Sequence, residues 1–271
     1  MLGLAASHLN IVSTSELKSE ALKHRIYAVQ GLSKALTEVP KNRCDSDAIL
    51  ATCYALAQQA SYIGESIEEF LTMLHGCYIV VQQGWPQRLG SVFVTPELAF
   101  HPDTGANFLR GRPALLNLFQ VDGGKTSLQK FRPLCRSGIE KIIVKQLLRL
   151  LNDIELRPQD GNGSHHGNYS YADWRVGFVQ FSEICCAVSC LPQSQFQQVT
   201  DSSNPLMQIL LAHLAAILAL IDPAMSMRHI GRDYGLQQGM IVFRLKNIWN
   251  NVPASMRDYL DWPMLITNTK L

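Results

Sequence analysis

Charged residues are scarce in this 271-residue sequence, and neither sign dominates. Lys and Arg number 24 and Asp and Glu 22, so 17 % of the chain is charged, against about 25 % in an average soluble domain. The formal net charge is +2, and no basic run is present. Proteins that bind nucleic acid through its phosphates need a concentrated positive surface. We therefore predict no direct nucleic-acid binding by this chain.

The sequence also lacks a long hydrophobic run and a recognisable targeting signal. The most apolar stretch covers residues 209–221 and contains His213, so it falls short of the roughly 20 apolar residues that cross a bilayer. The N-terminal residues carry no positively charged region, which argues against a signal peptide. Since 47 % of the residues are hydrophobic, a disordered chain is excluded. We expect a soluble, intracellular protein with no membrane span.

The seven cysteines show neither a disulfide framework nor the spacing of metal ligands. An odd number in a chain of this size is typical of a reducing compartment, and most of them fall in apolar stretches, which favours buried thiols. Cys186 and Cys190 would lie one helical turn apart, without a second ligand pair nearby in sequence. His165 and His166 lie in the polar segment 157–168, which we interpret as a mobile surface loop. We predict no metal site and no cofactor.

Common catalytic and nucleotide-binding motifs are missing as well. Residues 123–126 are Gly-Gly-Lys-Thr, but a P-loop requires glycine at the position of Phe119. This stretch therefore favours a solvated turn. The sequence has neither a G-x-S-x-G elbow nor an H-E-x-x-H helix. We assign no catalytic residue, although a Ser/His/Asp or Cys/His site assembled from distant residues stays open.

Helical periodicity is what the sequence does contain, and it dominates the chain outside the segments 84–124 and 157–168. Apolar residues recur every three or four positions, and strand alternation is almost absent. The predicted fold class is all-α, with little or no β structure. We expect a single regulatory or ligand-binding domain over residues 1–271, made of about eight to ten helices in one array. Residues 84–124 are rich in proline and glycine and form the irregular part of the prediction.

Local signals predict where several helices begin and which faces they bury. Ser137 and Glu140 have the spacing of a capping box, and Asn204 followed by proline is typical of a helix start. Short helical character is expected over residues 113–119, and a longer helix over residues 169–188. The first predicted helix should bury an apolar stripe formed by Leu22, Ile26, Val29 and Leu36.

Two long stretches of the sequence carry a resemblance to a known family. The first covers residues 24–36, HRIYAVQGLSKAL, and residues 46–83, SDAILATCYALAQQASYIGESIEEFLTMLHGCYIVVQQ. The second covers residues 203–225 and 248–263, and the segment 133–151, PLCRSGIEKIIVKQLLRLL, lies between them in the expected order. As an ordered set they resemble the fungal-specific transcription factor domain, which follows a binuclear zinc-cluster DNA-binding head. The sterol-uptake-control branch of that family is the most similar.

The resemblance implies a helical regulatory domain in the nucleus. Such a domain senses a small hydrophobic molecule, sterol-like or polyketide-like, or binds co-regulators, and it often forms a homodimer. The sequence departs from the family because it lacks the six-cysteine head with its paired C-x2-C spacings. Residues 1–20 are too short to hold that head. We therefore expect no specific DNA binding by this chain alone.

Two other functions stay open at this point. A free-standing relative recruited to secondary metabolism as an isomerase, cyclase or dehydratase needs acid/base groups and a shaped pocket. A dimerisation or protein-interaction module needs neither. The candidate ligand-binding residues are aromatic, polar and sulfur-containing side chains on helices expected to line an apolar cavity, and ordinary core packing is the alternative for each. They are Tyr54, Gln58, Tyr62, Met73, Cys77, Trp174, Phe178 and His213.

Overall fold

The computed structural model describes nine ranges of the chain. The described residues are 2–12, 17–63, 67–83, 88–90, 92, 114–155, 169–172, 183–225 and 238–267. The predicted loop over residues 157–168 and most of the predicted irregular segment lie outside them. The last residues of that segment, 118–124, belong to a regular helix, so the prediction of irregular structure is wrong there.

The fold is all-α, as the sequence predicted, and the described residues form eleven α-helices. Two 3-10 segments, Arg132–Leu134 and Ala254–Leu260, separate some of them. In chain order the helices are α1 (Leu2–Val12), α2 (Lys18–Ala35), α3 (Arg43–Ile63), α4 (Ile67–Gln82), α5 (Leu118–Phe131), α6 (Gly138–Glu155), α7 (183–189), α8 (Gln193–Thr200), α9 (Pro205–Met225), α10 (Gln238–Asn251) and α11 (Asp261–Ile266).

Two four-residue strands accompany the helices in the described part of the chain. β1 (Ala114–Asn117) pairs antiparallel with β2 (Tyr169–Ala172), and Ala114 lies opposite Ala172. The helices predicted over residues 113–119 and 169–188 are therefore wrong at these positions. Strands this short carry too few residues for an alternating pattern, and each depends on a partner far along the chain.

The chain folds as two compact units. Unit 1 contains Met1–Thr104 and Cys185–Leu191, and unit 2 contains Gly105–Ile184 and Pro192–Leu271. This division does not test the prediction of a single domain, which stays a prediction.

Unit 1 is built on the packed pair α3 and α4, with α1 and α2 against α3. The two helices share a cluster of buried side chains, and Leu32 and Tyr54 pack on its edge. A buried glutamine ties α1 and α2 to this pair, because Gln59 donates hydrogen bonds to the Ser7 hydroxyl and to the Ala21 carbonyl, both at 3.1 Å. The members of the cluster are Ile49, Leu50, Cys53, Cys77, Val80 and Val81.

The apolar stripe predicted for α2 faces away from this core. Ile26 is 54 % exposed, and Val29 and Leu36 are exposed too. The buried residues of α2 are Ala21 and Arg25 instead. The prediction of a buried Leu22–Leu36 face is therefore wrong, although Leu22 itself is half-buried.

Arg25 explains why α2 turns its other face inward. Its guanidinium donates to the Leu56 carbonyl at 3.1 Å and forms a short ion pair with the Glu69 carboxylate on α4. A buried charge is tolerated when it is paired and hydrogen-bonded in this way. The ion pair, which a hydrophobic pattern cannot reveal, therefore sets the orientation of the helix.

Unit 2 is organised around α9, in which every residue from 207 to 218 is buried. It packs against α5, α6, α10 and α11. The predicted helix start is confirmed, because the Asn204 side-chain oxygen accepts hydrogen bonds from the backbone N–H groups of Leu206 and Met207. No single helix in the described part of the chain is long and apolar enough to cross a membrane. A pair consisting of α8 and residues 205–220 reaches that length and apolarity, but it is bent by 77°.

The predicted capping box at the start of α6 is also confirmed. The Ser137 hydroxyl accepts a hydrogen bond from the Glu140 backbone N–H at 3.1 Å. The Glu140 carboxylate in turn accepts from the backbone N–H groups of Arg136 and Ser137. This reciprocal bonding satisfies donors that have no partner inside the helix.

Candidate functional site

The eight candidate ligand-binding residues do not form one site. Trp174 and Phe178 lie outside the described residues, and the side chain of Tyr62 on α3 is not among those described. His213 belongs to the core of unit 2. The four described candidates of unit 1 are Tyr54 and Gln58 on α3 and Met73 and Cys77 on α4.

Tyr54 and Cys77 come together in unit 1, with two further cysteines. We call this group, Cys53, Tyr54, Cys77 and Cys186, the thiol–tyrosine cluster. Cys53 is 5 % and Cys77 1 % exposed, and the two thiols are near enough to change each other's pKa. Tyr54 is half-buried at the edge, near enough to all three sulfur atoms to interact with them electrostatically.

Two polar groups of the thiol–tyrosine cluster, Tyr54 and Cys77, are held in their uncharged forms. Burial raises the pKa of the Tyr54 hydroxyl, and the three neighbouring cysteines raise it further. The neighbouring Cys53 thiol, together with burial, raises the pKa of the Cys77 thiol, and Cys77 in turn lowers the pKa of Cys53. The cluster therefore presents an uncharged phenol and polarisable sulfur atoms.

Met73 and Gln58 flank the cluster. Met73 precedes Cys77 by one helical turn on α4 and is half-buried, whereas Gln58 follows Tyr54 by one turn on α3 and is exposed. These spacings place each residue on the same side of its helix as its cluster neighbour. Of the two, the half-buried Met73 suits contact with an apolar molecule better than the exposed Gln58.

Sequence reasoning missed Cys53 and Cys186 as members of this cluster. Cys53 has the helical spacing of an ordinary core residue, and the sequence predicted Cys186 to be one of the buried thiols. Cys186 is half-buried, and only four of the seven cysteines are buried. Because α3 and α4 are joined by a short connection, the sequence could have predicted that Cys53 on α3 and Cys77 on α4 lie opposite each other. It could not have predicted that α7 packs beside them.

α7 is fixed to α4 by a buried histidine. The His75 Nδ1 atom lies 2.6 Å from the Ser189 carbonyl oxygen, so the ring N–H donates to it. The Ser189 hydroxyl donates to the Cys185 carbonyl at 2.7 Å. The His75–Ser189 bond holds the end of α7 against α4 and so positions Cys186 near Tyr54, whereas the Ser189–Cys185 bond lies within α7.

In unit 2, His213 lies between two aromatic rings. Its ring centroid is 6.3 Å from that of Phe131 and 5.7 Å from that of Trp262, with interplanar angles of 25° and 20°. The Trp262 indole N–H donates to the Gln120 carbonyl at 2.8 Å. We call Phe131, His213 and Trp262 the histidine stack.

The hydrogen bonds of His213 define its tautomer. Nδ1 lies 2.9 Å from the Ile209 carbonyl, which can only accept, so Nδ1 carries the proton. Nε2 then accepts from the Ser127 hydroxyl at 2.9 Å. Complete burial lowers the pKa of His213 to about 4. The ring is therefore neutral at physiological pH.

The Ser127–His213 pair has the hydrogen bond of a nucleophile and its base, but its surroundings do not suit that chemistry. Ser127 lies inside α5, where backbone N–H groups are used by the helix and are not offered to an oxyanion. His213 is oriented by a carbonyl instead of a carboxylate, and burial disfavours the imidazolium that catalysis would form. The geometry favours core packing for His213 over ligand binding.

The Gly-Gly-Lys-Thr stretch also belongs to the core of unit 2. Gly123 and Gly124 lie inside α5 and face the Trp262 indole: a Cβ added to Gly124 would come within 2.6 Å of Trp262 Cζ2. The prediction of a solvated turn is wrong. The two glycines leave room for the indole. Packing therefore explains why this stretch is rich in glycine, although its sequence resembles part of a phosphate-binding loop.

We expect the stability of the protein to fall as the pH drops from 7 to 4. The folded chain holds His213 at a pKa of about 4, while an unperturbed histidine titrates near 6.5. The unfolded state therefore binds more protons in this window, and protonation draws the equilibrium towards it. The contribution of neutral His213 is fully present above the unfolded pKa and is lost as the pH falls towards the folded one, by roughly 3 kcal/mol in total.

Denaturant titrations at stepped pH measure this effect. His213→Gln should remove this component of the pH dependence, whereas His24→Gln, which replaces a half-buried histidine of α2, should keep it. Equal pH dependence in the wild type and His213→Gln would contradict the assignment.

Neither a search for metal ligands nor a comparison with known proteins assigns a function to this chain. No group of three or more His, Cys, Asp or Glu side chains within the described ranges is arranged to hold a metal ion. Comparison with family models, with curated proteins and with solved structures found no match. The resemblance to the fungal-specific transcription factor domain therefore stays a prediction.

Proposed function

We propose that this chain is a regulatory domain that binds a small, neutral, hydrophobic molecule at the thiol–tyrosine cluster of unit 1. The observation that carries the proposal is the uncharged hydroxyl of the half-buried Tyr54, a hydroxyl that is itself buried beside the sulfur atoms of two packed helices. The proposal agrees with the function that the resemblance implies, a nuclear regulator sensitive to a sterol-like or polyketide-like ligand.

The chemistry of the cluster supports a neutral ligand over a charged one. An anion placed near Tyr54 and Cys77 would meet a poorly solvated environment without a compensating cation in the cluster. An alcohol or ketone would exchange one hydrogen bond with the Tyr54 hydroxyl, which would fix its orientation. Its hydrocarbon part would contact Met73 and the sulfur atoms, whose polarisability lets them adapt to different shapes.

Regulation in this proposal follows from differential binding. A ligand that contacts both α3 and α4 stabilises the arrangement in which the two helices are packed. A co-regulator or a second copy of the chain would then bind the ligand-stabilised arrangement of α3 and α4 more tightly. DNA binding would then be supplied by a zinc-cluster head on another segment or another protein.

A second candidate function, a protein-interaction module, is favoured by the exposed face of α2. Ile26 and Tyr27 are 54 % and 67 % exposed, and Val29 lies one turn further along. An apolar face of this kind is typical of contact surfaces. It could serve alone or together with ligand binding.

Sterol binding by the whole chain tests the first proposal. Cholesterol added to the purified protein should raise its melting temperature saturably, and native mass spectrometry should show one ligand per chain. Tyr54→Phe should weaken binding by roughly three- to tenfold, the effect of one hydrogen bond. The matched control is Tyr27→Phe, which removes the same hydroxyl from an exposed tyrosine and should leave affinity unchanged.

Two results would count against this function. Equal loss of affinity in both tyrosine variants would exclude the thiol–tyrosine cluster as the site. Absence of saturable binding by cholesterol, by an aromatic polyketide and by any molecule extracted from the purified protein would exclude the ligand-binding function. A native mass of two chains without ligand would favour the interaction module.

A further inference from the structure

We propose that Cys53 and Cys77 form a reversible disulfide when the protein meets a hydroperoxide, and that this bond locks α3 to α4. The inference rests on the two thiols and their helices, and it holds whether or not a ligand binds at the cluster.

The helical hairpin places the two cysteines opposite each other. Cys53 lies ten residues before the end of α3 at Ile63, and Cys77 lies ten residues after the start of α4 at Ile67. At about 1.5 Å per residue, each cysteine therefore lies about 15 Å along its helix from the end at Ile63 or Ile67. Both are buried in the same cluster of side chains, near enough for each thiol to change the pKa of the other.

The two thiols differ in exposure. Cys53 is 5 % exposed and Cys77 1 %, so an oxidant reaches Cys53 first, and the pKa of Cys53 is lowered while that of Cys77 is raised. The thiolate is the nucleophile in thiol oxidation. Cys53 is therefore the residue that attacks, and Cys77 is the residue that resolves the product.

The reaction balances with hydrogen peroxide as the oxidant. The Cys53 sulfur attacks one peroxide oxygen, the O–O bond breaks, and the released hydroxide takes the thiol proton to give water. The resulting sulfenic acid is attacked by the Cys77 sulfur: the S–S bond forms, the S–O bond breaks, and the Cys77 proton leaves with the hydroxide as a second water. Two thiols are oxidised, one peroxide is reduced, and a thiol reductant reverses the bond by exchange.

Burial determines which oxidant can reach the pair. With exposed fractions of 5 % and 1 %, Cys53 and Cys77 admit only a small neutral molecule or require a local opening of the hairpin. Cys44 is exposed in the same unit and so provides an internal control for reaction with bulky thiol reagents. The buried pair should resist such reagents and still react with peroxide.

Non-reducing peptide mapping of the full chain tests the proposal. After hydrogen peroxide treatment and alkylation, we expect a cross-linked peptide that contains Cys53 and Cys77 and disappears with dithiothreitol. The oxidised protein should melt about 5 °C higher, because the cross-link restricts the unfolded chain. Cys44→Ser should keep both effects, whereas Cys53→Ser and Cys77→Ser should lose them.

Three results would overturn the inference. These are cross-links that join Cys53 or Cys77 to other cysteines, accumulation of Cys53 as sulfinic acid while Cys77 remains alkylatable, and absence of reaction at both thiols in folded protein. The peptide map of the wild type decides between these results without any variant, so a serine variant that fails to fold does not affect the test. Cholesterol binding is measured separately, so failure of the disulfide and failure of ligand binding are distinguishable.

Discussion

We expect His213→Asp to lower the free energy of unfolding by about 3–5 kcal/mol. His213 is completely buried, and the histidine stack surrounds it with the rings of Phe131 and Trp262. A carboxylate there would lose both rings as stacking partners. It would also face the Ile209 carbonyl, which the imidazole N–H now contacts at 2.9 Å. Two acceptors in contact repel each other, and the one hydroxyl donor beside this position, Ser127, does not offset the cost of burying a charge.

His213→Asn is the matched control for this substitution, since it has nearly the same shape and carries no charge. Urea denaturation followed by tryptophan fluorescence should show the Asp variant less stable than the Asn variant at pH 7. Burial raises the pKa of a carboxyl group, so the folded state would protonate first as the pH falls. The difference between the two variants should therefore shrink towards pH 4. Near-normal stability of the Asp variant would show that position 213 faces water.

The starts of α6 and α9 were the part of the fold that the sequence predicted best. The capping box of Ser137 with Glu140 and the Asn204 cap are both confirmed. These features depend on atoms within one turn of each other, so a short sequence pattern contains nearly all the information that determines them. The all-α class follows from the same kind of local repetition.

The orientation of α2 shows where local patterns fail. This helix carries the apolar stripe of Ile26 and Val29, but it buries Ala21 and Arg25. Which face of α2 is buried depends on the Glu69 carboxylate, which lies on α4, far from Arg25 in the sequence. Hydrophobic periodicity gives no weight to a charged residue on an inward face, so it selected the wrong stripe.

The candidate site was predicted in part for a similar reason. Tyr54 and Cys77 lie on helices joined by a short connection, and their proximity follows from the antiparallel hairpin that such a connection favours. Cys186 reaches the cluster from α7, which is held by the bond between His75 and Ser189. That contact joins segments more than a hundred residues apart, and no pattern in either segment indicates the other.

The glycine pair of α5 supplies the second large effect, because Gly124→Ala should lower the free energy of unfolding by about 1–3 kcal/mol. An added Cβ would lie 2.6 Å from Trp262 Cζ2 and 3.0 Å from a methyl carbon of Leu151. The indole is held by its bond to the Gln120 carbonyl, so it cannot move aside without losing a buried hydrogen bond. Overpacking therefore outweighs the higher helix propensity of alanine.

Gly31→Ala is the control, since Gly31 lies inside α2 with nothing within 4 Å of an added Cβ. That substitution should raise stability by about 0.5–1 kcal/mol through helix propensity alone. Denaturant titration separates the effect of helix propensity from that of overpacking. It is carried out on both variants and on the double variant Gly124→Ala with Trp262→Leu, in which the smaller leucine relieves the clash. We expect the double variant to be more stable than the sum of the single losses predicts. Additive losses, or a Gly124→Ala variant as stable as Gly31→Ala, would mean that the indole does not lie against this face of α5.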